Sequence, residues 1–282
     1  MQYVLFYNNM FYDSKQSAVS YAGIHPEFGS NFIRKILKAS GVTDGGTILD
    51  VGTGNGQFTT SVQEVSSGKY TLTALDPSSE MLNYAGQNFD TNSYHGFHQT
   101  RPVTMLHATA NHTSLPEKSV DVLAVANTAH WFLYDEEIEK STRQEFARIA
   151  TDTASVICIT SRPRKDQFWE PFLSSLKAHP KHNPDSVFAL ARQRYGNKEG
   201  IAKQLIVAPQ LFETSLQVIL TSHKDAANYC KSISPYANIP PEEIDILAEQ
   251  SFTKACDKSY NVWVSDWLIS AFVGSLQRNC TD

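Results

Sequence analysis

The sequence predicts an α/β protein with a doubly wound, mostly parallel sheet, and three observations point there. Short apolar runs alternate with segments of helical periodicity between residues 28 and 160, the pattern of strands covered by helices on both faces. A glycine-rich turn, Gly52-Thr53-Gly54-Asn55-Gly56, joins the first of these runs to a helical segment. The chain, 282 residues with 41% hydrophobic content, is long enough for one sizeable core with an attached subdomain.

The elements follow in order. Phe32, Ile33, Ile36 and Leu37 recur at helical spacing, and Gly41 is placed to stop that helix. The turn "TDGG" leads into a first strand, Thr47 to Val51. A second strand spans Lys69 to Asp76 and feeds a helix that Ser78 or Ser79 caps. A third covers Pro102 to Ala110, and a fourth begins near Val120. The charged segment "YDEEIEKSTRQEFARIA" reads as a helix leading to a fifth strand, Ala154 to Thr160. Residues 162–210 are polar, basic and helical in pattern, interrupted by prolines. Phe212 to Ser222 reads as a further strand, and "SYNVWVSDWLISAFVGSLQ" as a strand, a helix or one running into the other. Right-handed crossovers then bring any ligand to the carboxyl ends of the strands.

Composition excludes several classes. A net charge of −5 gives no global electrostatic case for nucleic acid. No apolar run is long enough to cross a bilayer, and the first residues lack a basic region and a small-residue cleavage site. Cys158, Cys230, Cys256 and Cys280 form no C-x-x-C pair, which predicts reduced thiols and a cytoplasmic protein. His95, His98, His107 and His112 match no zinc-ligand spacing, so no metal is expected.

The glycine turn carries the functional signal. A dinucleotide fingerprint requires a third small residue in G-x-G-x-x-G, and Gln57 fills that slot here, which disfavours NAD and FAD. "DVGTGNG", Asp50 to Gly56, resembles instead the first motif of the class I S-adenosylmethionine-dependent methyltransferases. "ALDPSSEML", Ala74 to Leu82, is similar to their second segment, and "LPEKSVDVLAVANTAHWF", Leu115 to Phe132, resembles a subgroup that includes the trans-aconitate methyltransferases. The likeness covers residues 20–160 well and the remainder loosely. Where that subgroup often carries an acid this chain has Asn111, and its Arg-Pro is replaced by His25-Pro26 after Tyr21.

The resemblance implies a Rossmann-like, doubly wound, mostly parallel seven-stranded sheet with a helical lid insertion, and S-adenosylmethionine as cofactor. Residues 1–161 would hold N-terminal lid helices and the cofactor-binding core, 162–210 the lid insertion, and 211–282 the completion of the sheet domain. Asp50 would orient the loop or meet the methionine amino group, the backbone of Gly52, Thr53 and Gly54 would approach the methionine moiety, and Asp76 would accept from the ribose hydroxyls. Pro77 and Met81 would line the adenine pocket, Asn111 would contact the adenine amino group, Asn127 would supply a polar contact, and Tyr21 would fold over the cofactor. His130 follows the fourth strand and is a candidate base, a ligand contact or a packing residue, with Trp131 beside it to contact substrate.

The insertion speaks to the acceptor. From Arg162 to Lys203 nine Lys or Arg face four Asp or Glu, a net +5 against −10 for the rest of the chain. A basic lid over an acidic body attracts a small anion, and Arg162, Arg164, Arg192 and Arg194 are the candidates to grip a carboxylate by the guanidinium fork. The expected function is methyl esterification of a small carboxylic acid by a monomer or homodimer, without nucleic-acid or membrane partners. Two readings stay open beside it: O- or N-methylation of a neutral metabolite in a pocket built on Phe168, Trp169, Phe172 and Phe188, and a cofactor-binding protein that transfers no methyl.

Overall fold

The computed structural model describes residues 28–94, 101–182, 186–231, 236, 238–255 and 263–278. Tyr21, His25, His95, His98, Cys256 and Cys280 lie outside the described residues.

Helix α1, Ser30–Ser40, buries Phe32, Ile33, Ile36 and Leu37 and stops where Gly41 turns left-handed. Strand β1, Thr47–Val51, has the bounds its sequence predicts. Then come α2, Gln57–Ser66, β2, Thr71–Asp76, and α3, Ser79–Tyr94. Ser78 caps α3, its hydroxyl accepting from the Met81 amide at 3.2 Å. Strands β3, Thr104–His107, and β4, Val120–Ala126, follow. Helix α4, Glu136–Ile149, opens on Asp135, whose carboxylate accepts from the amides of Glu137 and Ile138 while three acids occupy the first turn.

Strand β5, Ala150–Pro163, is longer than its apolar core suggests because α4 runs directly into it. Three short helices succeed it: α5, Trp169–Ala178, α6, Val187–Tyr195, and α7, Lys198–Lys203. Strand β6, Ile206–Leu220, starts six residues before Phe212, so the helical stretch closes sooner than the basic composition implies. Helices α8, His223–Lys231, and α9, Pro241–Ala255, come next, and the ambiguous C-terminal run is a strand, β7, Trp263–Leu276.

The sheet has seven strands in the order β3-β2-β1-β4-β5-β7-β6. The first five pair in parallel and β7 enters antiparallel between β5 and β6. The fold is therefore the Rossmann-like α/β architecture expected from the sequence. Its central strands are apolar on both faces because both are covered. Leu49, Val51, Leu123, Val125 and Val156 enter one core with Phe146 of α4. Ile48, Val122, Ala124 and Ile157 enter the opposite one with α1 and α2. A third core joins α5, α8 and α9 around Phe168, Trp169, Phe172, Tyr229 and Trp267. Chain order reverses between β1 and β4, so the ends of these two strands frame a crevice.

Candidate functional site

The glycine loop leaves β1 under tight control from below. Asp50 is buried, and its Oδ2 accepts from the Thr53 hydroxyl at 2.7 Å and the Thr59 hydroxyl at 2.8 Å. Thr53 in turn donates its amide to the Leu75 carbonyl at 2.8 Å, pinning the loop to β2. Gly52 has φ +69°, and a Cβ there would stand 2.6 Å from Thr128 Cγ2, so only glycine fits. Burial raises the Asp50 carboxyl to about 6, and its threonine hydrogen bonds offset part of that shift.

Asp76 closes β2 and ties the loop from the side. Its Oδ2 accepts from the Gly54 amide and its Oδ1 from the Ser78 amide, both at 2.9 Å. Burial pushes this carboxyl up to about 6 as well, with the two amide bonds opposing and Asp50 adding a like charge.

A cavity of about 1030 Å³ opens from this loop across the ends of β4 and β5 to the helices beyond. Of the residues singled out in the sequence, Gly52, Gly54, Asp76, Pro77, Met81, Asn111, Asn127, His130, Trp131, Arg162 and Arg192 line it. Asp50 and Thr53 stand beneath the loop and do not reach its wall, which favours the orienting role for Asp50.

Asn127 adopts φ +57° at the end of β4, and its amide is committed to β5. Its Oδ1 accepts from the Ser161 amide at 2.7 Å and its Nδ2 donates to the Ser161 hydroxyl at 2.9 Å. It shapes the rim between two strand ends. Asn111 is exposed at the other wall and donates to Ser141 Oγ at 3.3 Å. His130 and Trp131 occupy a 3-10 turn, Ala129–Trp131, with ring centroids 5.4 Å apart. Burial lowers the His130 imidazole to about 4, so it is neutral at physiological pH.

Two of the four candidate arginines are not brought to the cavity. Arg164 donates to Ser215 Oγ at 2.9 Å, drawn to β6 because its own amide bonds the Asp266 carbonyl of β7. Arg194 sits 3.0 Å from Glu139 Oε2 in a network with Arg143 and Tyr195 that fastens α6 to α4. Of the aromatic pocket expected on Phe168, Trp169, Phe172 and Phe188, the Phe188 side chain lies outside what the structure describes, and Phe168, Trp169 and Phe172 do not line the cavity. Those three side chains are fully buried in the lid core, and Leu173, Tyr229 and Tyr236 present the apolar wall instead.

The sequence reading passed over Lys198 and Thr128. Lys198 lines the cavity, and its ammonium nitrogen is buried with no hydrogen-bond partner among the described residues. Burial, then Arg162, lowers it to about 8, with Arg192 acting the same way and Cys158 and Glu213 opposing. A sequence signal existed: Asn197 caps a helix whose first residue is this lysine, a position where the helix dipole disfavours a cation. Among the described residues no group of three or more His, Cys, Asp or Glu could hold a metal ion. No helix among them is long and apolar enough to cross a membrane.

Comparison with known proteins agrees with this geometry. Residues 49–158 match the family model described as a methyltransferase domain. A protein of Anaeromyxobacter dehalogenans, described provisionally as a type II methyltransferase, superposes with a TM-score of 0.51 at 17% identity over 89% of this chain and 97% of its own. One from Bacillus halodurans, provisionally a methyltransferase, gives 0.53 at 12% identity over 89% of this chain and all of its own. At these identities the two establish the fold. No curated protein sequence is significantly similar to the chain.

The residues present suit the cofactor of such enzymes. Gly52 and Gly54 bring side-chain-free backbone to the cavity wall, and Asp76 lines the same cavity at the end of β2. Residues 49–158 thus match a methyltransferase domain, set in a chain that shares the Rossmann-like α/β fold of these solved structures.

Proposed function

We propose that the protein transfers a methyl group to a small organic acid and forms a methyl ester. The observation that carries this reading is the cationic wall beyond the glycine loop, where Arg162 and Arg192 line the same cavity as Gly52 and Asp76. S-adenosylmethionine supplies an electrophilic methyl on a sulfonium. Gly52, Gly54 and Met81 would hold and enclose it, Asp76 would accept from its ribose, and Pro77 and Asn111 would border the adenine. Tyr21, outside the described residues, remains our candidate for a cover.

A carboxylate is already ionised at neutral pH and needs no base. That suits His130, whose conjugate acid near pH 4 makes it a poor proton acceptor for a phenol or an amine. We assign His130 and Trp131 to contact with the acceptor and to exclusion of water, so that catalysis here is mostly positioning. The likeness of Leu115 to Phe132 to the trans-aconitate subgroup supports an acidic acceptor.

The test uses the purified chain, methyl-labelled S-adenosylmethionine and a panel of small acids, phenols and amines. Label released as methanol by mild alkali supports the ester. Alkali-stable label would move the reaction to O- or N-methylation, and bound cofactor with no labelled product would favour a binding protein.

A further inference from the structure

Lys198 is the feature of the cavity least explained by folding. A buried ammonium without a hydrogen-bond partner is costly, and proteins retain one where something compensates it. The exposed Arg162 and Arg192 can be solvated, whereas the Lys198 nitrogen cannot. The charged and titratable groups that act on it are Arg162, Arg192, Glu213 and the Cys158 thiol. Only Glu213 is acidic among the cavity-lining members of that set, and it already accepts from the Ser270 hydroxyl at 2.8 Å. Lys165, Lys177 and Glu199 line the cavity as well, and Glu199 pairs with Lys203 at 2.7 Å, so among the described residues five cations stand against two engaged carboxylates on this wall.

The position of these residues in the chain says which ligand they meet. Gly52, Gly54, Asp76 and Met81 all fall within residues 49–158, the matched methyltransferase domain. Arg162, Arg192 and Lys198 all fall outside it, on the end of β5 and on α6 and α7. Most of the candidate cofactor contacts thus fall inside the matched domain and the cationic wall outside it, which suits a wall that meets the acceptor.

We infer that Lys198 anchors a carboxylate of the acceptor, forming a subsite with Arg162 and Arg192 that selects anionic substrates. The inference deepens the methyl-transfer reading and rests on it for the identity of the ligand. In this subsite Lys198 provides a buried point charge, and the arginines cover the anion from the solvent side. A charged Lys198 is needed, so binding weakens as pH rises through about 8 and the ammonium is lost.

Calorimetry on the wild type, Lys198→Met and Lys198→Arg tests it, first with S-adenosylhomocysteine and then with benzoate, succinate and inorganic phosphate in its presence. Lys198→Met should weaken carboxylate binding roughly 10- to 100-fold, the effect of losing a charged hydrogen bond, and leave S-adenosylhomocysteine affinity within about twofold. Lys198→Arg should keep the carboxylate and, unlike the wild type, hold it above pH 9, a change that a merely structural lysine would not produce. Unchanged carboxylate affinity in Lys198→Met overturns the inference. So does an equal loss of S-adenosylhomocysteine, which would assign the lysine to the cofactor's own carboxylate. Phosphate binding in place of the carboxylates, or no carboxylate binding by the wild type, also overturns it. If the wild type fails to bind S-adenosylhomocysteine, the methyl-transfer reading falls separately, and the carboxylate titrations without it still read the role of Lys198. Thermal unfolding of Lys198→Met separates lost binding from lost folding, and Lys198→Arg keeps the test open if that variant does not fold.

Discussion

Thr128 closes over Gly52: its hydroxyl donates to the Val51 carbonyl at 2.8 Å, and its methyl stands 2.6 Å from where a Cβ on Gly52 would be. The first residue after β1 is thus held by the first turn after β4. Gly52→Ala meets both this clash and a left-handed φ of +69°, together about 2–4 kcal/mol. The thermal unfolding midpoint should therefore fall by several degrees. Adding Thr128→Ser removes the methyl and should restore part of the loss, never all, because the φ strain remains. Full restoration would show that the clash alone excludes a side chain there.

If Asp76 accepts from the ribose as proposed, it gives ligand binding a pH dependence. Its carboxyl is raised to about 6, so it is largely protonated in the free protein below that pH. A ligand that needs the carboxylate therefore binds more tightly as pH rises toward 6 and levels off above it. Titration of S-adenosylhomocysteine from pH 5 to 8 should show this, and Asp76→Asn should bind weakly with a flatter profile. The stability sign is opposite: a raised carboxyl favours the folded state at low pH, an advantage lost as pH rises from about 4 to 6.

Removal of His130 discriminates base from contact. Its imidazole is held near 4 and is neutral from pH 6 to 9, so the rate should show no ascending limb near pH 6.5. With a carboxylate acceptor His130→Ala should lower kcat less than about 100-fold, the lower bound expected for a general base. A greater loss, together with an ascending limb that disappears in the variant, would make His130 the base.

Glu145 fastens the loop after β3 to α4. Its Oε1 accepts from the amide and hydroxyl of Thr113, at 2.9 and 2.5 Å, and Arg148 bonds both of its oxygens. The Arg148 guanidinium, ahead of the Thr113 bonds, holds this carboxyl down to about 2. The stabilisation is present above the ordinary carboxylate range and is lost as pH falls from about 4.5 toward 2. Glu145→Ala leaves the fully buried Thr113 hydroxyl without its acceptor and should cost about 2 kcal/mol. Thermal unfolding at pH 7 should drop by several degrees and that deficit should shrink near pH 3; an unchanged Tm would sink the assignment.

The centre of the sheet was legible because β1, β2, β4 and the middle of β5 are buried on both faces. β1 matches its predicted bounds, and α1 stops at its glycine. The glycine loop was legible for a related reason: Gly52, Gly54 and Asp76 are tied together by local backbone geometry, which spacing encodes. The lid was not. The face that helices α8 and α9 bury meets α5, from the other side of β6 in the chain. Arg194 has the same character as Arg192 in sequence, yet its partner Glu139 lies 55 residues away, a contact no local pattern reveals. Lys198 was overlooked because the bidentate geometry of arginine was the criterion, whereas burial gives this lysine its interest.

The lid is woven through the sheet, since α5 to α7 precede β6 and α8 and α9 follow it. His179, just beyond α5, meets Glu243 of α9 at 2.6 Å, and Trp169 of α5 donates to Ser265 of β7. This helical layer is therefore not a removable cassette. A chimera that exchanges residues 164–205 alone would strand the donor's α5 against a foreign α9, with mismatched aromatic faces. Recombination that respects this architecture must carry both helical stretches and the two strands between and after them as one inheritance unit, so acceptor preference should drift by point substitution on the cavity wall more readily than by shuffling.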